Sequence, residues 1–270
     1  MAWFTRSSRL TIKALALTFV LAVSVSAQTP AKLGSSSISS RIPKQWEFNP
    51  KNLSFQGNGP RRLQAGATRG GSCVNSDRPL LALVPASGVG TTISEYPTVF
   101  WYQPKTSASS AEFVLFDANQ QEIYSARYSL PKLSEDTPSA YGIMSLTLPA
   151  LANFLPLKID QEYQWQLSLV CDPIDRSADL VVGGLIKRVE SQPNLELRLR
   201  QANAQERLDE YIKGRFWYDT VDTLAELRRT SPQDANLASA WEKLLESVNL
   251  PTNSVEPWFP VPATITTSKQ

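Results

Sequence analysis

The stretch QEYQWQLSLVCDPIDRSADLVVGGLIKRV, residues 161–189, decides the fold class. Tyr163, Trp165, Leu167, Leu169 and Cys171 alternate with Gln164, Gln166 and Ser168. That period of two belongs to a strand with one buried face. LVVGGLIKRV reads as a second strand, in which Gly183 and Gly184 predict a bulge or a close backbone approach. Between the strands, Asp172, Asp175, Arg176 and Asp179 crowd beside a cysteine. Calcium would need six to eight oxygens, and the spacing does not follow the twelve-residue EF-hand loop. Glycoside hydrolysis would need two carboxyls astride a sugar cleft, which a sequence-local cluster does not supply. The third reading is adopted: Asp-Pro opens a turn, the polar side chains fix its backbone, and a disulfide pins it. These four residues are kept as candidate binding residues, with no catalytic residue, metal or cofactor assigned.

Upstream the same strand language continues. LLALVP (80–85), TVFWYQP (98–104), AEFVLFD (111–117), EIYSARYSL (122–130) and GIMSLTLP (142–149) are short, rich in β-branched and aromatic residues, and separated by turn residues. Ala118-Asn119-Gln120-Gln121 predicts a hairpin between two of them. Seven or eight strands with little helical signal among them predict an antiparallel β-sandwich over residues 72–190. A tyrosine and a tryptophan ahead of a cysteine on one strand give it a loosely immunoglobulin-like character, though the first cysteine lies too far away for the antibody spacing. A jelly roll reads the same way. Trp101 and Tyr102, with Tyr163 and Trp165, form the second candidate site, a stacking platform for sugar or peptide, against the plain reading that strand aromatics are core.

Beyond Ser191-Gln192-Pro193 the period lengthens to that of helices. Residues 194–214, 215–232 and 234–248 predict three helices, with Leu208, Tyr211, Ile212, Leu224, Leu227, Trp241, Leu244 and Leu245 packed between them. Asp234 or Asn236 caps the last, and Pro232 ends the one before it. The spacing of Tyr211, Thr220, Leu224, Leu227 and Pro232 follows half of a tetratricopeptide repeat; a single copy cannot bury its own faces, so these helices must pack on the sandwich or on one another. The fold class expected is therefore α+β: a β-sandwich, then a small helical segment over 194–250, then an irregular tail over 251–270.

The ends of the chain locate it. Arg6, Arg9 and Lys13 precede an apolar run over 14–23, and Val25-Ser26-Ala27 carries small residues where a signal peptidase reads. Residues 1–27 are expected to be a secretory signal peptide, too short in its apolar core to span a bilayer. A periplasmic or secreted chain with two cysteines, Cys73 and Cys171, is expected to join them. Histidine is absent, which excludes Ser-His-Asp and Cys-His mechanisms and histidine-ligated zinc. Residues 28–72 hold seven cations and one anion, a net of +6, whereas residues 73–270 hold 17 cations and 24 anions, a net of −7. Residues 28–71, with GSSSISS and several prolines and glycines, are expected to be a disordered basic linker, within which Trp46–Phe55 could dock locally. It either folds back on the acidic body or meets an anionic envelope surface. No nucleotide-binding pattern and no nucleic-acid motif is present.

Several of these motifs together resemble a known family. RGGSC (69–73), LALVP (81–85), SEYPTVFWY (94–102), SLVCDPIDRSADLVVGG (168–184) and GRFWYDTVDTLAELRRTSPQDANLASAWEKLL (214–245) are similar to the cyanobacterial domain of unknown function numbered 928. The resemblance covers residues 69 to about 250 and implies an exported envelope protein, with no activity to carry over. Thr220 stands where the resemblance leads one to expect alanine. The functional expectation is a non-catalytic module that contacts an unidentified envelope protein through a sheet edge or the helical groove. The alternative is a glycan-binding protein or carboxylate-dependent hydrolase.

Overall fold

The computed structural model describes residues 37–44, 46, 73–74, 78–130, 141–150, 154–250, 258–260 and 265–266. The expected signal peptide and most of the expected linker lie outside them. The chain is a mixed α+β protein with two largely antiparallel sheets and a C-terminal group of helices. The strands are β1 (Leu81–Ala82), β2 (Val89–Thr92), β3 (Thr98–Gln103), β4 (Ser110–Phe116), β5 (Glu122–Ser129), β6 (Gly142–Thr147), β7 (Glu162–Val170), β8 (Leu180–Arg188), β9 (Trp258–Pro260) and β10 (Ile265–Thr266). One sheet has the order β1-β3-β6-β9 and the other β10-β5-β4-β7-β8-β2. Two pairs are parallel, β2 with β8 and β6 with β9.

The alternation read from residues 161–171 holds in part: Gln166 and Ser168 are half-buried between buried neighbours, whereas Glu162, Gln164 and Val170 are buried as well. Trp165, Leu167 and Leu169 are fully buried on one face of β7, and both sheets feed a single hydrophobic core that includes Val99, Phe100, Phe113 and Leu115. The expected β4–β5 hairpin forms. Asp117 Oδ1 accepts the amides of Asn119 and Gln121, and Gln120 takes a left-handed conformation at φ 63°. Of the two glycines in β8, Gly184 marks a close approach: a Cβ there would lie 2.7 Å from Val84 Cγ1. β8 pairs with β7 without a register break, so no bulge occurs at that point.

The helices are α1 (Ile38–Arg41), α2 (Pro193–Gln201), α3 (Ala204–Gly214), α4 (Trp217–Thr230) and α5 (Ala235–Glu246). The span read as one helix over 194–214 is two, because Asn203 starts α3 with a full capping box: its side chain accepts the amides of Gln205 and Glu206, while Glu206 accepts its backbone amide. Asp234 caps α5 as expected. Leu208, Ile212, Leu224, Trp241, Leu244 and Leu245 are buried among the helices; Tyr211 is only partly covered.

Two further segments differ from the expectation. Part of the stretch read as disordered linker is packed: Ile38, Ile42 and Trp46 are buried, α1 lies on α3 and α5, and Arg41 pairs with Asp209. Three apolar side chains, spaced four apart, are enough to anchor a segment whose overall composition is that of a linker. The tail read as irregular contributes β9 and β10, one strand to each sheet. The helical group joins the sheets through α4, which packs on β2 and β3. Trp217 Nε1 donates to the carbonyl of Leu83 (3.0 Å), Trp165 Nε1 to Tyr218 Oη (3.0 Å), and Tyr218 Oη to the carbonyl of Leu185 (3.0 Å). Trp46 stacks edge-on against Trp217 at 5.1 Å and donates to Ser247 Oγ. Gly90 permits this docking, since a Cβ there would sit 2.6 Å from the Tyr218 ring.

Candidate functional site

The aspartate loop is structural in its bonding. Asp172 Oδ1 accepts the amides of Ile174 (2.7 Å) and Asp175 (3.3 Å). Asp175 caps the 3-10 turn Arg176–Ala178 by accepting the amide of Ser177. The Ser177 hydroxyl first, and then that amide, hold its carboxyl below the usual range. Asp179 accepts the amide of Cys171 through Oδ1 and Arg176 Nε (2.5 Å) through Oδ2. Arg176 also reaches across to Glu112 (2.6 Å), which is shared with Arg127. Burial works to raise the Glu112 carboxyl, but the hydrogen bonds from Arg176 and Arg127 leave it below its ordinary value. Cys73 and Cys171, with Cα atoms 5.3 Å apart, are bonded at the foot of the loop. The four candidate side chains are thus spent on backbone and on one another, as a pinned strand connection requires.

The aromatic platform is not assembled. Trp101 is 1% exposed and Tyr102 8%, because β3 lies between β1 and β6 and all six of its residues are buried. Neither ring offers an open face for stacking. The plain reading of strand aromatics as core is the one the geometry favours, and the alternative of exposed binding aromatics is corrected: both side chains belong to the hydrophobic core that the two sheets share.

A different site is formed where the β2–β3 connection meets the helices. A cavity of about 400 Å³ is lined by residues 92–98, by Tyr211 of α3, and by Tyr218, Asp219, Asp222 and Thr223 of α4. Asp219 and Asp222 are three residues apart and so share one helix face. Asp219 Oδ2 accepts the amide of Ile93 (3.2 Å), and Thr92 also donates to the carboxylate. Burial pushes the Asp219 carboxyl up to about 7, against the pull of those hydrogen bonds. Asp222 is exposed as a residue, but partial burial of its carboxyl beside the cavity raises it in the same direction, with Thr98 donating to it. Tyr211 is also raised, by burial first and then by Asp219. Glu95 completes the acidic lining and pairs with Arg188 (3.2 Å). Such a cavity suits a hydrogen-bonding or cationic group, and a carboxyl titrating near neutrality can hold or release a proton there.

Sequence reading missed Asp219 and Asp222. Both lie beside the buried stripe Trp217, Tyr218, Val221, Leu224 of α4, where acidic residues ordinarily mark a solvated face. Only the docking of α4 on the β2–β3 connection turns that stripe toward a cavity.

These features define a disulfide-linked α+β protein with an acidic cavity between its sheet connection and its helices. The chain belongs to the family described as Domain of Unknown Function (DUF928), whose model matches residues 64–258. No curated protein matches the chain.

Proposed function

We propose that this chain is an exported, non-catalytic interaction module of the cell envelope, and that it engages its partner through the acidic cavity. The observation that carries the reading is the cavity itself, with three carboxylates and three tyrosines in its lining. Export is supported by the N-terminal leader and by the bonded cysteine pair, which suits an oxidising compartment. We read the two sheets as a sandwich, supported by their common core, and the α3–α4 hairpin as tetratricopeptide-like. The signature of a partner is a basic side chain, since the carboxylates at the cavity would be relieved of repulsion by a cation.

The test is site-directed photo-crosslinking in the native envelope from a probe at Thr223, comparing the wild type with Asp219→Asn/Asp222→Asn. Capture of a defined protein that the double variant loses supports the reading. Recovery of only copies of the chain, or of the same species from both forms, rejects it.

One observation favours a second reading, a carboxylate-dependent hydrolase or glycan-binding protein: Asp219 titrates near neutrality beside a second carboxylate, as a general acid would. Its signature would be hydrolysis or saturable binding of glycan or peptidoglycan fragments that Asp219→Asn removes.

A further inference from the structure

Three carboxylates line the acidic cavity, but they are not equally free. Glu95 is paired with Arg188 at 3.2 Å, and that arginine also donates to the carbonyl of Leu157. Asp219 gives Oδ2 to the amide of Ile93 at 3.2 Å and takes a further hydrogen bond from Thr92. Asp222 takes one from Thr98, while Glu226 and Arg229 act on it in opposite senses. The charge left for a ligand therefore sits on the remaining lone pairs of Asp219 and Asp222, three residues apart on α4.

Tyr211 lines the same space from α3. Burial, and then the two aspartates, hold its hydroxyl in the protonated form against the opposing pull of Arg207. Arg207 itself lies outside the lining and donates to the carbonyl of Ala202. The Tyr211 oxygen thus joins the two carboxylates as a third acceptor. Tyr218, also in the lining, has its hydroxyl committed to Trp165 and to the Leu185 carbonyl.

The two kinds of basic side chain differ in what they need from such a lining. A guanidinium is a planar fork that bonds best to both oxygens of one carboxylate. Neither aspartate presents that edge free of competing donors, since Ile93 and Thr92 hold Asp219 and Thr98 holds Asp222. An ammonium is a compact point charge with three donors, and it takes single acceptors converging from separate groups. Asp219, Asp222 and the Tyr211 hydroxyl supply that set, and Tyr96 and Pro97 line the same cavity as apolar cover for a methylene stem. At about 400 Å³ the space is of the size that encloses a small ligand group. We infer that the cavity is a receptor for a primary ammonium group, as on a lysine side chain, and that it discriminates against guanidinium. This rests on the cavity being the partner-binding site and adds the chemistry of the group that enters it.

Isothermal titration calorimetry of the full, disulfide-bonded chain with acetyl-lysine methylamide and acetyl-arginine methylamide tests it, above the pH of about 7 at which Asp219 ionises. The lysine probe should bind saturably and the arginine probe about tenfold more weakly or less, the loss of one charge-assisted hydrogen bond. Acetylation of the probe's side-chain amine should abolish binding, as should Asp219→Asn/Asp222→Asn. Tyr211→Phe keeps the ring and its packing, and should weaken the lysine probe by about tenfold while leaving the arginine probe unchanged. Equal affinity for the two probes, preference for arginine, or no binding of the lysine probe overturns the inference. So does lysine binding that survives the double aspartate variant. A protein captured from Thr223 by the wild type alone, without a lysine preference, removes the ammonium and leaves the partner reading standing. A lysine preference with no captured protein upholds the ammonium site and rejects the partner reading, with a free amine as the source.

Discussion

Among the carboxyls of the described residues, Asp219 carries a large upward shift that its surroundings impose. Its carboxyl is raised from 3.8 to about 7 in the folded chain, so between those values the folded state binds the proton that the unfolded state has released. Stability should therefore fall as pH rises from about 4 to 7, and level off above. Asp219→Asn should flatten that part of the profile, as read by urea unfolding at a series of pH values; an unchanged slope would mean that Asp219 ionises normally. Tyr218 makes a different kind of prediction. Its hydroxyl joins Trp165 Nε1 to the Leu185 carbonyl in a fully buried setting. Tyr218→Phe leaves both groups without that partner and should cost about 1–3 kcal/mol. Thr220, the departure from the expected alanine, is buried and donates to the carbonyl of Phe216 four residues back, so its hydroxyl is satisfied without an outside partner.

At the scale of elements, α1 illustrates how a short piece is held by what it touches. Four residues cannot form a stable helix alone. α1 persists because Ile38 and Ile42 pack on the helical group and Trp46 follows them against Trp217. Trp46→Ala should cost about 3–5 kcal/mol, measured by chemical denaturation, although it lies in a stretch with the composition of a linker. A negligible effect would show that the segment does not dock in solution. The periodicity of β7 and the paired turn residues of the β4–β5 hairpin were legible in sequence because a strand with one buried face and a tight turn are local patterns. The division between α2 and α3 was carried by an equally local signal, Asn203 followed three residues later by Glu206, which a continuous apolar pattern masks.

At the scale of the molecule, the Cys73–Cys171 bond closes a loop of 98 residues between the start of the strand region and the end of β7. In the chain-entropy account that cross-link contributes about 4–5 kcal/mol by restricting the unfolded chain. Reduction should lower Tm and the urea midpoint without altering the far-ultraviolet spectrum of the folded form. Retention of the oxidised midpoint after complete reduction would show that the bond adds nothing to the fold.

The strand and helix periods, the cysteine pair and the turn chemistry at the aspartate loop could all be read from the chain, because each depends on neighbours within a few residues or on a covalent rule. The docking of Trp46, the strands of the tail and the cavity around Asp219 could not. Each depends on which surfaces meet across long sequence separations. Amphipathic patterns say that a face is to be covered, but only tertiary packing determines what covers it and which polar groups are left lining the space between.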